Sequence, residues 1–254
     1  MNNICAIIPA RYGSTRLNGK PLLEIDGKTI IRRTFEQTMK SKFIKKVIVA
    51  TDDDRIVNEV AKIDGDAIKI EEPCLNGTER ICKILNKIPE TYDIIVNVQG
   101  DEPFIDPENI DLCIQKYLEN EKDPMMVCTT IHSNILNEED LENRAIGKMV
   151  MDANDNIMYC SRSMIPHTKS GKPDPNFQYL AHIGVFVFRR SYLALFLESP
   201  NTPAQLAEDI EWLKIIEMGF RIKSYLAPKN YEIGVNTPED YEFLLKKYSS
   251  ITDN

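Results

Sequence analysis

No stretch of the 254 residues approaches the roughly 20 consecutive apolar positions that a membrane-spanning helix needs, so no membrane contact is expected. The opening Met1-Asn2-Asn3-Ile4-Cys5-Ala6-Ile7-Ile8-Pro9 lacks the basic flank and long apolar core of a secretory signal, and the expected location is cytoplasmic. An excess of cations is missing too. Lys and Arg number 31 against 39 Asp and Glu, a formal charge of -8, which leaves no global basic field for gripping a phosphate backbone; nucleic acid is not an expected partner. The six cysteines (Cys5, Cys74, Cys82, Cys113, Cys128, Cys160) contain no C-x-x-C pair and read as reduced, small hydrophobes. The three histidines lie far apart without zinc-site spacing, so any metal would be held by carboxylates. There is no G-x-G-x-x-G fingerprint. A Walker A loop is excluded as well, because Gly13 to Gly19-Lys20 has one residue too many and Pro21 replaces the required Ser/Thr.

What is present suffices for one large core: 43% of residues are hydrophobic and 28% charged. Apolar β-rich runs alternate with helical patterns, in the order Ile4–Ile8, Thr29–Lys40, Lys46–Ala50, Asp53–Ile63 and Ala67–Ile70, a βαβαβ series. A helix is expected from Thr78, and Asp93–Val98 is apolar enough for a central parallel strand. The second half changes character. Strand-like runs at Met125–Ile131, Lys148–Met151 and His182–Phe188 surround a polar loop at His167–Phe177, which predicts an antiparallel excursion over roughly 123–190. A helix is expected over Gln205–Met218, then a strand at Arg221–Tyr225 and a last helix opened by Thr237-Pro238-Glu239-Asp240. No repeat or Gly/Ser linker divides the chain, so the expectation is a single α/β domain, 1–254, with a mostly parallel sheet.

Two turns carry chemistry. The first strand runs into Pro9-Ala10-Arg11-Tyr12-Gly13-Ser14-Thr15-Arg16-Leu17-Asn18-Gly19-Lys20-Pro21, at the strand end where open α/β sheets bind ligands. Amides at Gly13 and Ser14 can approach an anion closely, and Arg11, Arg16 and Lys20 can offset the charge of a triphosphate. The second turn is Val98-Gln99-Gly100-Asp101-Glu102-Pro103, where Asp101 can hold Mg2+ against substrate phosphates or cap the helix that starts near Pro107. Gln99 can offer its amide to a base or a sugar, or hydrogen-bond the turn itself.

These turns, together with Gly77-Thr78-Glu79-Arg80 and Ser161-Arg162-Ser163-Met164-Ile165-Pro166, resemble the 3-deoxy-manno-octulosonate (KDO) cytidylyltransferases in order and spacing over almost the whole chain. The resemblance implies a Rossmann-like nucleotidyltransferase fold, an inserted dimerisation subregion, a homodimer, and Mg2+-dependent transfer of CMP from CTP to an acidic small-molecule acceptor with release of pyrophosphate. It implies that Pro9, Ala10, Arg11, Gly13, Ser14, Arg16 and Lys20 hold CTP, with Gly77, Arg80 and Gln99 near the nucleotide. Asp101 would lie on Mg2+, making Arg16, Lys20 and Asp101 the catalytic group, and Arg162 near the sugar acid.

The departures from the family pattern cluster in its acceptor half. Gly-Val-Asp-Thr-Pro, whose Asp is the second metal ligand, reads Gly234-Val235-Asn236-Thr237-Pro238. Glu-x-x-Glu-Gln-Leu-Arg reads Glu208-Asp209-Ile210-Glu211-Trp212-Leu213-Lys214, and His-Leu-Gly-Ile-Tyr reads His182-Ile183-Gly184-Val185-Phe186. His182, Phe186, Glu211 and Trp212 are therefore expected at the acceptor. Asn236 either offers a carbonyl oxygen to Mg2+ or merely precedes a helix cap. Trp212, the only tryptophan, either meets the acceptor or belongs to the core on the helical stripe Ile210, Leu213, Ile216. Two competing readings are a glycosyltransferase, prompted by the D-x-D form of Asp52-Asp53-Asp54, and a non-catalytic nucleotide-binding relative, prompted by Asn236.

Overall fold

The computed structural model describes residues 3–13, 16–229 and 234–249. Strand β1 (Asn3–Ala10) is buried from Ile4 onward and leads, through a 3-10 turn at Lys20–Leu22, to the small ribbon β2 (Glu24–Ile25) and β3 (Lys28–Thr29). Then follow α1 (Ile30–Met39), β4 (Ile44–Thr51), α2 (Asp54–Ala61), β5 (Asp66–Lys69), α3 (Gly77–Ile84), β6 (Tyr92–Val98) and α4 (Pro107–Asn120). The second half contributes β7 (Met126–Asn134), α5 (Glu138–Glu142), β8 (Lys148–Met151), β9 (Ile157–Ser161), β10 (Leu180–Arg189), α6 (Arg190–Glu198), α7 (Pro203–Glu208), α8 (Leu213–Glu217), β11 (Arg221–Leu226) and α9 (Pro238–Ser249).

The main sheet has the order β11-β7-β10-β6-β1-β4-β5, with β8 joined to β10 and β9 to β8. Neighbours are parallel except around β10, which runs antiparallel to β6, β7 and β8, and at the β8–β9 pair. The mostly parallel α/β architecture expected from the sequence is thus present. Of the segment 123–190, β7 and β10 are built into the main sheet, and the β8–β9 hairpin stands off its path.

Period-two alternation assigns the two faces. Cys5, Ile7, Ile48 and Ile95 pack with Ile81 of α3, Leu193 of α6 and Leu213 of α8. Ile4, Ala6, Ile8, Val49 and Val96 pack with Ile31 of α1, Ile56 of α2 and Ile114 of α4. Apolar faces on both sides produce three layers with the sheet in the middle. A smaller cluster of Ile25, Ile30, Val235 and Leu244 docks α9 onto the β2–β3 ribbon.

Helix starts follow the side chains that can satisfy orphan N–H groups. Thr29, Asp53, Asn76 and Asp106 cap α1, α2, α3 and α4, each accepting from a first-turn amide. One expected helix differs. Gln205–Met218 is broken: α7 ends at Asp209, whose φ of 51° is left-handed, and a new short helix starts after Trp212. Trp212 is therefore not a member of a continuous helical stripe, because the chain turns just before it.

Candidate active site

The C-terminal ends of β1 and β6 meet at a cleft of about 1030 Å³. Their approach is close: a Cβ on Gly100 would sit 2.7 Å from the Pro9 carbonyl oxygen, so only glycine fits there. The cleft brings together Pro9, Ala10, Arg11, Arg16, Lys20, Gly77, Arg80, Gln99, Asp101, Arg162, His182, Glu211, Trp212 and Asn236. Ser14 lies outside the described residues. Gly13 is exposed and does not line the cleft wall.

The first turn is fixed by neighbours rather than by its own sequence. Asp52, just after β4, accepts the Tyr12 amide at 3.0 Å on one carboxylate oxygen and the Arg80 guanidinium at 3.2 Å on the other. The Arg55 guanidinium lies 3.3 Å over the Tyr12 ring, and the Gly19 amide donates to the Tyr12 carbonyl at 3.0 Å. Gly19 has φ 67° and lies against that ring, where a side chain would be both strained and crowded. Arg11 and Arg16 are exposed on the cleft. Arg80 is 5% exposed, and its Nη1 has no partner among the described residues. The three acids of Asp52-Asp53-Asp54 are committed elsewhere than to a metal: Asp53 caps α2 and Asp54 pairs with Lys69.

Lys20 and Asp101 form an ion pair at 2.7 Å. The Lys20 ammonium also donates to the Val235 carbonyl at 2.9 Å, and the Val235 amide donates to the Asp101 carbonyl at 2.9 Å. The catalytic-looking lysine, the carboxylate turn and the segment before α9 are thus tied into one unit. Asn236 reaches the cleft directly beside it. Its amide and that of Thr237 donate to the Asp240 carboxylate at 2.8 Å each, and the Asp240 amide donates back to the Thr237 hydroxyl at 3.2 Å. That reciprocal cap starts α9 with acids at the positive end of its dipole. Among the described residues no three His, Cys, Asp or Glu side chains cluster into a metal site. Asp101 and Asn236 offer hard oxygen donors, and a cation that takes most of its ligands from phosphate and water, as Mg2+ does, fits that set.

At the far end, His182 packs in a triangle with two aromatic rings, 4.1 Å from Trp212 and 4.6 Å from Phe186, which are 5.1 Å from each other, centroid to centroid. Burial pushes its imidazole down to about 3, so it is neutral near pH 7. The Thr130 hydroxyl gives its hydrogen to the Val185 carbonyl at 2.6 Å and must accept from His182 Nε2 at 3.0 Å. That network assigns the Nε2–H tautomer and leaves the Nδ1 lone pair as an acceptor.

Of the residues expected at the acceptor, Phe186 does not line the cleft, a correction, while Trp212 and Glu211 line it and bond elsewhere. Phe186 is 1% exposed and stands behind His182, so its ring supports the histidine rather than meeting a ligand. Trp212 is 9% exposed, its indole N–H donates to the Cys160 sulfur at 2.9 Å, and its ring packs in the core cluster, so it meets the cleft only at an edge. Glu211 faces α3 and the turn after β6: its carboxylate accepts the Thr78 amide at 2.9 Å and the Gln99 side-chain amide at 3.2 Å. Because a carboxylate can only accept, Gln99 must turn its NH2 toward Glu211 and keep its carbonyl oxygen for other partners. Burial raises the Glu211 carboxyl above its usual range. Arg162 does line the cleft, and its guanidinium donates to the carbonyls of Ala145, Glu208 and Asp209 at 3.0, 3.3 and 2.9 Å.

Sequence reasoning missed Asp52 as the tie between Tyr12 and Arg80, and Asp240 as the partner of Asn236. The Asp52-Asp53-Asp54 run was the signal for the first, but a run of acids does not say which of them caps a helix.

The profile of the family described as Cytidylyltransferase matches residues 5–223. The chain is 42% identical over 239 residues to a 3-deoxy-manno-octulosonate cytidylyltransferase of Protochlamydia amoebophila (strain UWE25), covering 93% of this chain and 91% of that one. It is 40% identical to a protein of the same name from Zea mays, covering 93% of this chain and 78% of that one. A CMP:2-keto-3-deoxy-manno-octonic acid synthetase solved in complex with CTP superposes with a TM-score of 0.86 at 30% identity, over 98% of this chain and 99% of that one. A 4-diphosphocytidyl-2C-methyl-D-erythritol synthase from Anaerococcus prevotii DSM 20548 shares the fold, with a TM-score of 0.59 at 16% identity over 97% and 98% of the two chains.

Proposed function

The chain belongs to the 3-deoxy-manno-octulosonate cytidylyltransferase family, and from that premise we propose that it transfers CMP from CTP to a KDO-like 2-keto-3-deoxy sugar acid with release of pyrophosphate. The observation that supports this most is the tied unit of Lys20, Asp101 and Val235, which stands in one cleft with Arg11, Arg16 and Arg80 at one end and Arg162 and His182 at the other.

The chemistry is an in-line displacement. The acceptor's anomeric hydroxyl forms a bond to the α-phosphorus as the bond from that phosphorus to the bridging oxygen breaks. Pyrophosphate leaves with the electron pair, and the hydroxyl proton passes to solvent. The protein's contribution is positioning and charge neutralisation. Arg11, Arg16 and Lys20 supply cations for the triphosphate. Arg80 is held by Asp52, and its Nη1 has no partner among the described residues, which suits a nucleotide oxygen. Gln99, with its NH2 on Glu211, can turn its carbonyl oxygen to a donor on either substrate. The neutral His182 offers its Nδ1 lone pair to a sugar hydroxyl, and Arg162 has N–H donors beyond the three it spends on carbonyls, so it can meet a carboxylate. Asp101 and Asn236 would hold Mg2+, which when bound adds charge neutralisation at the phosphates. Activity as a homodimer belongs to the same reading. Met158, 60% exposed on β9, and Phe177, 42% exposed, are apolar groups that a second copy would cover.

Asn236 favours one second reading: a CTP-dependent transferase whose acceptor carries an additional anion that takes the place of the missing aspartate. Phe186 and Trp212 add nothing to it, since both are packed inward. Pyrophosphate release from CTP, UTP, ATP and GTP, each with Mg2+ and a panel of KDO, its 8-amino analogue, other 2-keto-3-deoxy acids and small phosphonates, separates these readings. CTP with KDO is expected to turn over; turnover only with a phosphate- or phosphonate-bearing acid would favour the second, and CTP binding without pyrophosphate release would make the protein a non-catalytic relative.

A further inference from the structure

A lysine ammonium with no exposed surface is costly to bury and persists where its donors are all satisfied. Lys148 is such a group. It is 0% exposed at the start of β8, and its Nζ donates to the carbonyls of Asn143, Ile146 and Arg162 at 2.6, 3.1 and 2.8 Å. Asn143 and Ile146 bound the turn between α5 and β8, whose residues form part of the cleft wall, and Arg162 follows β9 on the same wall. The Arg162 guanidinium holds the Ala145 carbonyl of that turn. Two cations therefore engage six carbonyls: Lys148 those of Asn143, Ile146 and Arg162, and the Arg162 guanidinium those of Ala145, Glu208 and Asp209. The negative ends of those peptide dipoles are committed to the cations and are not aimed at a ligand in the cleft.

We propose that Lys148 is a positioning residue for the anionic acceptor: without touching it, the buried ammonium fastens the 143–146 turn to the chain at Arg162 and so sets the guanidinium that faces the acceptor. The proposal rests on the reading of this end of the cleft as the acceptor site. Its ammonium form is the one that donates three bonds, so the wall should loosen when the proton is lost. Burial pushes Lys148 down to about 8; Arg162 lowers it further, and Asp140 and Glu208 oppose that. A lysine lowered by burial leaves the unfolded chain with more bound protons above pH 8, so its contribution to stability rises there with pH. A loss of acceptor binding in that range is then not a loss of fold stability from this group.

The test uses the full chain with CTP and KDO, and pyrophosphate release gives a KM for each substrate. Lys148→Met is expected to raise the acceptor KM by roughly tenfold, the effect of losing about one charge-assisted hydrogen bond, with the CTP KM within about twofold. In the unsubstituted protein the acceptor KM should climb between about pH 7 and about pH 9.5, as expected for a lysine lowered toward 8, while the CTP KM does not follow. An unchanged acceptor KM in Lys148→Met, or equal rises in both KM values, overturns the proposal. Should that variant not fold, the pH series decides, and an acceptor KM flat across it overturns the proposal equally. Absence of pyrophosphate release with every acid overturns the acceptor reading itself, and the role of Lys148 with it.

Discussion

Asp52 holds the turn after β1 and the side chain of Arg80 with its two oxygens, which accept from the Tyr12 amide and the Arg80 guanidinium. Neither contact is visible to spacing arguments, because residues 12, 52 and 80 come together only when β1, β4 and α3 are assembled. Asp52→Ala should free both groups and raise the CTP KM by about tenfold while leaving the acceptor KM unchanged, a split that steady-state kinetics with each substrate varied would read. Unequal burial of like residues governs the histidines in the same way. Burial pushes His132 down to about 4 and His182 to about 3, against an ordinary value of 6.5. As pH falls below 6.5 the unfolded chain takes up protons that the folded chain refuses, so stability is lost toward pH 4, at up to about 1.4 kcal/mol per pH unit for each histidine. Thermal unfolding across that range should show the decline, and His132→Gln, which removes one of the two groups, should make it shallower. An equally steep decline in that variant would remove His132 from the account.

Elements were legible where the pattern is local. The runs Ile4–Ile8 and Asp93–Val98, the helix expected from Asp53, and the Thr237-Pro238 helix start all sit within a residue of where the sequence indicates, since alternation and capping act within a few residues. The Gln205–Met218 helix failed because apolar spacing continues through Asp209 while the backbone turns left-handed there, a tertiary choice that periodicity cannot register. The turn before α9 repeats the lesson at the site. Asn236 had two readings from sequence, and the structure gives it both positions at once, inside the cap by its amide and on the cleft beside Asp101. Asn236→Asp should therefore lower the Mg2+ concentration for half-maximal turnover, by roughly tenfold if one carboxylate ligand is added. An identical Mg2+ titration would leave the position with its helix entry alone.

Across the whole molecule the two ends of the cleft are built differently. One end is made by strand-to-helix turns of β1, β4 and β6, the part of an α/β sheet where motifs are contiguous, so Arg11, Lys20, Gln99 and Asp101, which line it, stand in short runs of the sequence. The other end is assembled from the turn before β8, the residue after β9, β10 and the α7–α8 corner, segments spread over residues 143–212, so its buried supports Lys148 and Phe186 and the bonds of Glu211 emerge only from the packing. Glu211 joins the ends, because it comes from the α7–α8 corner and bonds Gln99 and the start of α3.

The measurement that bears most directly on cytidylyl transfer is the product itself: mass spectrometry and phosphorus NMR of one reaction containing the protein, CTP, KDO and Mg2+. A new CMP-sugar formed in equal amount with pyrophosphate, and dependent on KDO, is the predicted result. Pyrophosphate without that product, or CTP left intact in the presence of KDO, would contradict it.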